Sequence, residues 1–272
     1  LSKIYSEAIP GAKTSVQATK ASAENLNLLQ AGRGEVGFSL GDAVTQAWTG
    51  NEEAGFKQKL DKLRALAAIY PNYIQIVASK ESGIRTLQDL RGKRLSVGAP
   101  RSGTELNARA VLAAAGLSYA DLGKVEYLPF GESVELMKNR QLDATLQSAG
   151  LGVSSIRDLA TNVPIVVVPV PPEVVTKIGD PAYQPAVIPA GTYSGQDQDV
   201  PTVAVRNILV THSGVPEEVV YRMTKSMFEH LDELVAAHTA AKGIKLEEAT
   251  KGLPIPLHPG AERYYREVGL IR

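Results

Sequence analysis

The sequence predicts an α/β protein with a largely parallel sheet, divided between two lobes. Three observations carry that prediction. Short β-rich runs alternate with helical ones along the chain, the order that βαβ units impose. At 272 residues the chain is long for one compact domain and comfortable for two. Its 44% hydrophobic and 21% charged residues are ordinary for a folded globular protein, so disorder is excluded.

Residues 14–19 read as a strand, and 24–30 as a helix closed by Gly32. Residues 36–40 form a second strand and 43–48 a second helix, begun by Gly41 and Asp42 and ended near Gly50. Alternating Leu63, Ala65, Ala67 and Ile69, then residues 73–78, predict two further strands split by Pro71 and Asn72. A polar run at 79–83 leads to a short helix at 86–90. The rhythm then restarts with strand 95–98, helix 105–115, strand 125–128, helix 133–140, strand 144–146 and helix 154–159. Unbroken β-branched content makes 165–168 a buried strand.

Half of the 16 prolines lie between Pro164 and Pro201. Each lacks the N–H that a helix interior or a central strand requires, so this stretch is expected as extended chain with turns and one short helix near 173–178. Residues 202–210 are strand-like again. Pro216 opens an amphipathic helix reaching residue 237, and a last helix covers 260–268. Strand-like segments near 73–79 and 202–210 would make two crossings. One lobe is then 1–83 with 205–272, holding both chain ends, and the other is 84–204.

Lysine plus arginine equals aspartate plus glutamate at 29 each. A nucleic acid or an anionic membrane calls for a basic surface, so neither partner is expected. There are no cysteines, which removes thiolate catalysis, cysteine-bound zinc and disulfides, and fits the periplasm. No apolar run approaches the ~20 residues that span a bilayer, so direct membrane insertion is not expected. The start at Leu1, Ser2 and Lys3 suggests an upstream segment such as a signal peptide. His212, His230, His238 and His258 show no metal-ligand spacing. Asp197 and Asp199 lack the remaining ligands of a calcium loop, and a polar turn is the plainer reading. Catalytic residues, metal and cofactor are therefore expected to be absent, and the chain reads as a non-enzyme.

The most informative stretch runs from Val97 through Gly98, Ala99, Pro100, Arg101, Ser102, Gly103 and Thr104 to Glu105. It is a strand, a glycine-bearing turn and a helix start in succession. Free N–H groups and a partial positive charge at such a start hold anions, and Arg101 adds five donors. A plain capping box, Ser102 with Glu105 reaching back, explains those two residues and leaves Arg101 and Thr104 unexplained. The spacing is not that of a phosphate loop, so no nucleotide is implied.

Similar turns occur at Thr19 to Ser22 and at Ser39, Leu40, Gly41 and Asp42. Ligands of open α/β sheets sit beyond the carboxyl ends of strands, where these turns fall. Ser22 and Asp42 also read as N-caps. Asp42 would alternatively suit a ligand ammonium. Ser148 and Gly150 follow a strand and make a fourth such loop, unless they only lead into the next helix. Tyr70, Trp48 and Tyr73 read first as packing residues and second as cleft lining. A cleft between lobes is the default site for a small anionic ligand.

Several motifs in order along the chain resemble the TAXI-type solute receptors of tripartite ATP-independent periplasmic (TRAP) transporters. They are Ala18-Thr19-x-x-Ser22-x-Glu24-Asn25-Leu26, the run from Asp42 to Gly50, Ile69-Tyr70-Pro71, and Gly98-Ala99-Pro100-x-Ser102-Gly103-Thr104. Ile188-Pro189-Ala190-Gly191-Thr192-Tyr193, Asp199-Val200-Pro201-Thr202 and Leu257-His258-Pro259-Gly260-Ala261 continue the match over essentially the whole chain.

The resemblance implies a type II periplasmic-binding-protein fold, two α/β lobes joined by two crossing strands. It also implies an interlobe ligand such as glutamate, glutamine or another small carboxylate, and delivery to permease subunits driven by an ion gradient. That family opens on a strand and a glycine-rich loop, whereas this chain is expected to begin inside the following helix, without that first strand. Its usual double glycine is Lys20-Ala21 here, its polar pair before the aspartate is Leu40-Gly41, and Arg101 replaces a small residue. Arg101 and Lys20 push the expectation toward an anion. The rival readings are an enzyme, or a regulatory sensor domain, on the same two-lobed fold.

Overall fold

The computed structural model describes residues 1–100 and 102–272; Arg101, expected at the site, lies outside the described residues. Along the chain the elements are α1 (Ser2–Ala8), α2 (Ser22–Gln30), β1 (Gly37–Leu40), α3 (Gly41–Thr49), β2 (Leu63–Ser79) and β3 (Arg94–Ser96). Next come α4 (Gly103–Ala114), β4 (Lys124–Glu126), α5 (Phe130–Lys138), β5 (Ala144–Ala149), α6 (Ser154–Asn162) and β6 (Ile165–Val168). The chain ends with α7 (Pro172–Ile178), β7 (Tyr183–Ile188), β8 (Val200–His212), α8 (Glu217–Glu229), α9 (Leu231–Ala237) and α10 (Pro259–Glu267). They fall into two units: Leu1–Pro71 with Arg206–Arg272, and Asn72–Val205. Strands β2 and β8 contribute residues to both.

In unit 1, β1 lies antiparallel to β8, with Gly37 opposite Val210 and Leu40 opposite Asn207. Ile4, Tyr5, Leu66, Leu209, Met227 and Tyr265 form its core. Each such side chain fully removed from water contributes roughly 1.5–3 kcal/mol. Tyr265 is buried at no polar cost, because its hydroxyl donates to the Leu66 carbonyl at 2.6 Å. Gly260 lets α10 lie directly on α8: a Cβ there would sit 2.3 Å from the Glu217 carbonyl and 2.6 Å from the Tyr221 nitrogen.

In unit 2, β2 is flanked by β5 and β6, both antiparallel to it, and Gln75 faces Gln147. β3 pairs in parallel with β5 and with β4. Strands β6, β5, β3 and β4 therefore all run one way and finish on one edge. Val77, Val134, Met137, Ile156, Leu159 and Ile188 fill a core on this sheet. Pro185 sits in β7, which pairs with β8 alone among the described residues, so its missing N–H interrupts no second ladder.

Four expectations need correction. Residues 14–19 form no strand: the segment has no ladder partner among the described residues, and Val16 is 83% exposed. Scattered β-branched residues cannot hold an isolated strand in water. β2 is one strand of 17 residues that runs through Pro71. Proline's fixed φ suits extended chain, so it does not break β2 here. The single helix expected from Pro216 to 237 is two, α8 and α9, broken at His230, where φ is −124° and ψ 32°. The His230 Nδ1 lies 2.7 Å from the Ser226 carbonyl, the acceptor that a continuous helix would give to the His230 main-chain N–H. Finally, Ser102 does cap α4, but the Glu105 carboxylate turns to Arg109 at 2.8 Å instead of back to the cap.

Candidate functional site

The carboxyl edge of unit 2 gathers five expected residues. Between β3 and α4 the chain turns at Gly98, whose φ is 87°. A Cβ at Gly98 would lie 2.9 Å from Thr104 Cβ and 3.2 Å from Ser102 Oγ, so this turn closes over the start of α4 only with glycine. Ser102 Oγ accepts the Glu105 N–H at 3.2 Å. That leaves other first-turn N–H groups of α4 without intrahelical partners, at the positive end of its dipole. Ser102, Gly103 and Thr104 are all buried.

Ser148, at the end of β5, donates to Asn107 Oδ1 at 2.5 Å, and Asn107 Nδ2 donates to the Tyr183 hydroxyl at 3.0 Å. Two buried bonds thus fix α4 against β5 and β7. Gly150 follows at once. Its carbonyl and that of Ala149 accept from Gln75 Nε2 at 3.2 and 3.1 Å. The Tyr193 hydroxyl donates to Gln75 Oε1 and accepts the Gly152 N–H at 3.1 Å. Burial pushes the Tyr193 phenol up to about 12, so it keeps its proton at neutral pH.

Unit 1 gathers a second set. Ser22 Oγ accepts the Leu40 N–H at 3.2 Å, joining the starts of α2 and α3. Thr19 Oγ1 donates to Asn25 Oδ1 at 2.5 Å, and Asn25 Nδ2 donates to the Phe38 carbonyl at 2.8 Å. Ser39 Oγ donates to the Leu40 carbonyl at 3.1 Å, while Gly41 and Asp42 form the buried first turn of α3. Tyr70 joins through Asn207, which faces Leu40 and donates to the Tyr70 carbonyl at 3.0 Å. The Tyr70 ring stacks on His238 with centroids 6.2 Å apart, and burial raises its phenol pKa.

The N-cap reading of Ser22 and Asp42 is corrected: the caps are Ala21 and Leu40, and neither makes a side-chain cap bond. Ala21 is a non-glycine residue at φ 73°, ψ −143°, a conformation costing about 1–3 kcal/mol. It is held by the Lys20 N–H on Glu24 at 2.7 Å and its own N–H on Thr19 Oγ1 at 3.1 Å.

Sequence reasoning missed Gln75, Asn107 and Tyr193, and the turn from β4 into α5, which ends on the same edge of unit 2. That turn had the signal of the others, a strand followed directly by a helix. Tyr193 stood in the family-like run 188–193 without a role, and Gln75 and Asn107 had no signal, since their partners are distant in sequence. Among the described residues no group of three His, Asp or Glu side chains could hold a metal ion. A groove of about 730 Å³ opens at the opposite edge of unit 2, lined by Ser79, Arg94, Arg140 and Asp143 among others. Most of its charges are already matched. Arg94 grips Asp143 at 2.9 and 3.1 Å and holds that carboxyl below its usual range, and Lys138 reaches Asp158 at 2.5 Å. Volume alone therefore does not make it the site.

The chain matches the NMT1-like family over residues 1–269. It belongs to that family. This NMT1-like chain is also similar to solved binding proteins. The alkanesulfonate-binding protein SsuA from Xanthomonas axonopodis pv. citri, bound to MOPS, is 16% identical, with a TM-score of 0.50 over 97% of this chain and 76% of that one. A binding protein component of an ABC phosphonate transporter from Pseudomonas aeruginosa is 10% identical, with a TM-score of 0.56 over 90% and 72%. XAC2383 from Xanthomonas citri, bound to ATP, is 13% identical, with a TM-score of 0.53 over 98% and 87%. At these identities the likeness carries the fold, which is that of the periplasmic binding proteins.

Proposed function

We propose that this NMT1-like chain is a periplasmic solute receptor that captures a small carboxylate-bearing metabolite, of glutamate, glutamine or dicarboxylate type, and delivers it to a TRAP-type membrane permease. The supporting observation is the carboxyl edge of unit 2, where Ser102, Gly103, Thr104, Ser148 and Gly150 gather around the start of α4. Arg101 is included in the proposal for the chemistry of its guanidinium alone. Thr19, Ser22, Ser39, Gly41, Asp42 and Tyr70 are the candidates in unit 1. Asp42 is fully buried in the first turn of α3. No described helix is long and apolar enough to cross a membrane. The chain's work is binding, without turnover.

A second reading keeps the receptor and changes the cargo to a sulfonate or phosphonate carried by an ABC-type permease. The solved proteins named for those ligands favour it. One experiment separates the two. Thermal unfolding is followed with glutamate, glutamine, succinate, methanesulfonate and methylphosphonate. A ligand at a hundredfold excess over its Kd adds about 2.7 kcal/mol of stability. Stabilisation by a carboxylate supports the first reading and by a sulfonate or phosphonate the second; stabilisation by none of them sinks both.

A further inference from the structure

We propose that Gln75 and Tyr193 are positioning residues that aim the main-chain N–H groups of Gly150 and Leu151 outward as a paired donor for a ligand oxyanion; this rests on the solute-receptor reading. Gln75 is 0% exposed, on β2. Both hydrogens of its amide are used on consecutive carbonyls, those of Ala149 and Gly150. Its oxygen accepts from the Tyr193 hydroxyl. Only one orientation of the amide satisfies that set, since two carbonyls must face the NH₂ and a hydroxyl must face the oxygen.

The consequence follows from peptide geometry. No peptide bond in the described chain is cis. In a trans peptide the C=O and the next N–H point in opposite directions. With the Ala149 and Gly150 carbonyls turned to Gln75, the Gly150 and Leu151 N–H groups face away from it. Neither makes a hydrogen bond among the described residues. Leu151 is 38% exposed and Gly150 is half-buried, so the loop lies at the surface of unit 2. At Gly152 the pattern reverses, because its N–H returns to the Tyr193 hydroxyl. Two adjacent outward N–H groups form a concavity suited to an oxyanion of a carboxylate, sulfonate or phosphonate, and offer nothing to an ammonium.

Tyr193 is itself held in place. Its N–H donates to Gln196 Oε1 at 3.3 Å, and Gln196 Nε2 donates to the Ile188 and Pro189 carbonyls at 3.1 and 3.0 Å. The polar turn at 189–199 thereby fixes the hydroxyl that orients Gln75. A buried polar group is costly unless satisfied, and this chain of groups is satisfied throughout.

The test uses ¹⁵N-labelled full chain titrated with glutamate, succinate, methanesulfonate and methylphosphonate, alongside Tyr193→Phe and Gln75→Leu. For any anion that raises the unfolding temperature, the Gly150 and Leu151 amide resonances should shift at saturation more than that of Gly152. Tyr193→Phe should weaken that anion's Kd about tenfold while the variant remains folded. If an anion binds but those two resonances stay still, or the Phe variant loses thermal stability with an unchanged Kd, the clamp is refuted and the receptor reading survives. Should both variants fail to fold, the wild-type resonances decide alone. If no anion moves a resonance or the unfolding temperature, both fall together.

Discussion

The polar turns of unit 1 and those of unit 2 are held by different means. In unit 1 the bonds around the starts of α2 and α3 are local: Thr19 to Asn25, Phe38 to Asn25 and Leu40 to Ser22 span 6, 13 and 18 residues, and only the Asn207 bond that brings in Tyr70 is long, at 137. In unit 2 they come from far along the chain: Ser148 to Asn107, Asn107 to Tyr183 and Tyr193 to Gln75 span 41, 76 and 118. Short hydroxyl and amide groups on neighbouring turns suffice for the first set. The second uses buried amides that find their partners only once the whole sheet is assembled. Rigid support of that kind is what a binding site needs if its donors are to be aimed before the ligand arrives.

The largest expected effect breaks the second kind of support. Asn107→Leu removes the acceptor of the Ser148 hydroxyl and a donor to Tyr183, breaking two buried hydrogen bonds. With about 1–3 kcal/mol for the Ser148 hydroxyl and about 1 kcal/mol for the lost bond to Tyr183, stability should drop by roughly 2–4 kcal/mol in urea unfolding, with a large loss of ligand affinity. A change under about 1 kcal/mol, the low end of that range, would show that the buried amides of unit 2 are no more consequential than the hydroxyls of unit 1.

Gly98→Ala comes next. The added Cβ must adopt φ 87° and meet Thr104 at 2.9 Å. A loss of about 1–3 kcal/mol is expected, with weakened binding. Gly32→Ala is the control in unit 1: φ is 71°, but nothing lies within 4 Å. Only the left-handed cost of about 1–2 kcal/mol applies there, and binding should be unchanged. Equal effects on binding from the two would remove the claim that the Gly98 turn shapes the site.

The same contrast explains how much could be read from the chain. The βα alternation was legible because hydrophobic period and turn residues act over a few positions, and Ser102 was legible as a cap because its partner is three residues on. Ser22 looks like a cap as well. What decides its role is the Leu40 N–H, brought beside it by β1, and no local pattern carries that. Pro71 reads as a break because proline punctuates sequences, yet an extended chain accepts it. Gln75 left no trace in the sequence, and Tyr193 stood only as one member of the family-like run 188–193, because their meaning is a contact between segments over a hundred residues apart.

Ala21 turns the comparison around, since here the local construction of unit 1 carries strain. The TAXI-type resemblance expects glycine at this position, and the observed φ of 73° is one that glycine adopts freely. Ala21→Gly should therefore stabilise the protein by roughly 1 kcal/mol, the strain relieved outweighing the extra freedom of the unfolded chain. A lower unfolding temperature would mean that the surrounding bonds from Glu24 and Thr19 hold Ala21 without strain.

The smallest effect is a difference in how the units respond to acid. In unit 1, buried His258 caps α10: Nδ1 accepts the Gly260 N–H at 3.1 Å while Nε2 faces the Val215 carbonyl at 2.8 Å. Only the neutral ring protonated at Nε2 makes both bonds. Burial first, then the charges of Arg64 and His212, hold its pKa below the ordinary 6.5, against the Val215 bond and Glu217, which raise it. A depressed folded value means that the unfolded chain takes up the proton first. The stabilisation is then complete above about pH 6.5 and is lost as pH falls from there through the folded value. The buried supports of unit 2 are amides and hydroxyls, which do not titrate in that range. Unfolding midpoints measured between about pH 7.5 and 5, a window that brackets an ordinary histidine, should fall in the wild type and fall less in His258→Asn, which keeps a capping side chain without a titrating ring. Matching slopes in the two proteins would assign the acid response to other groups.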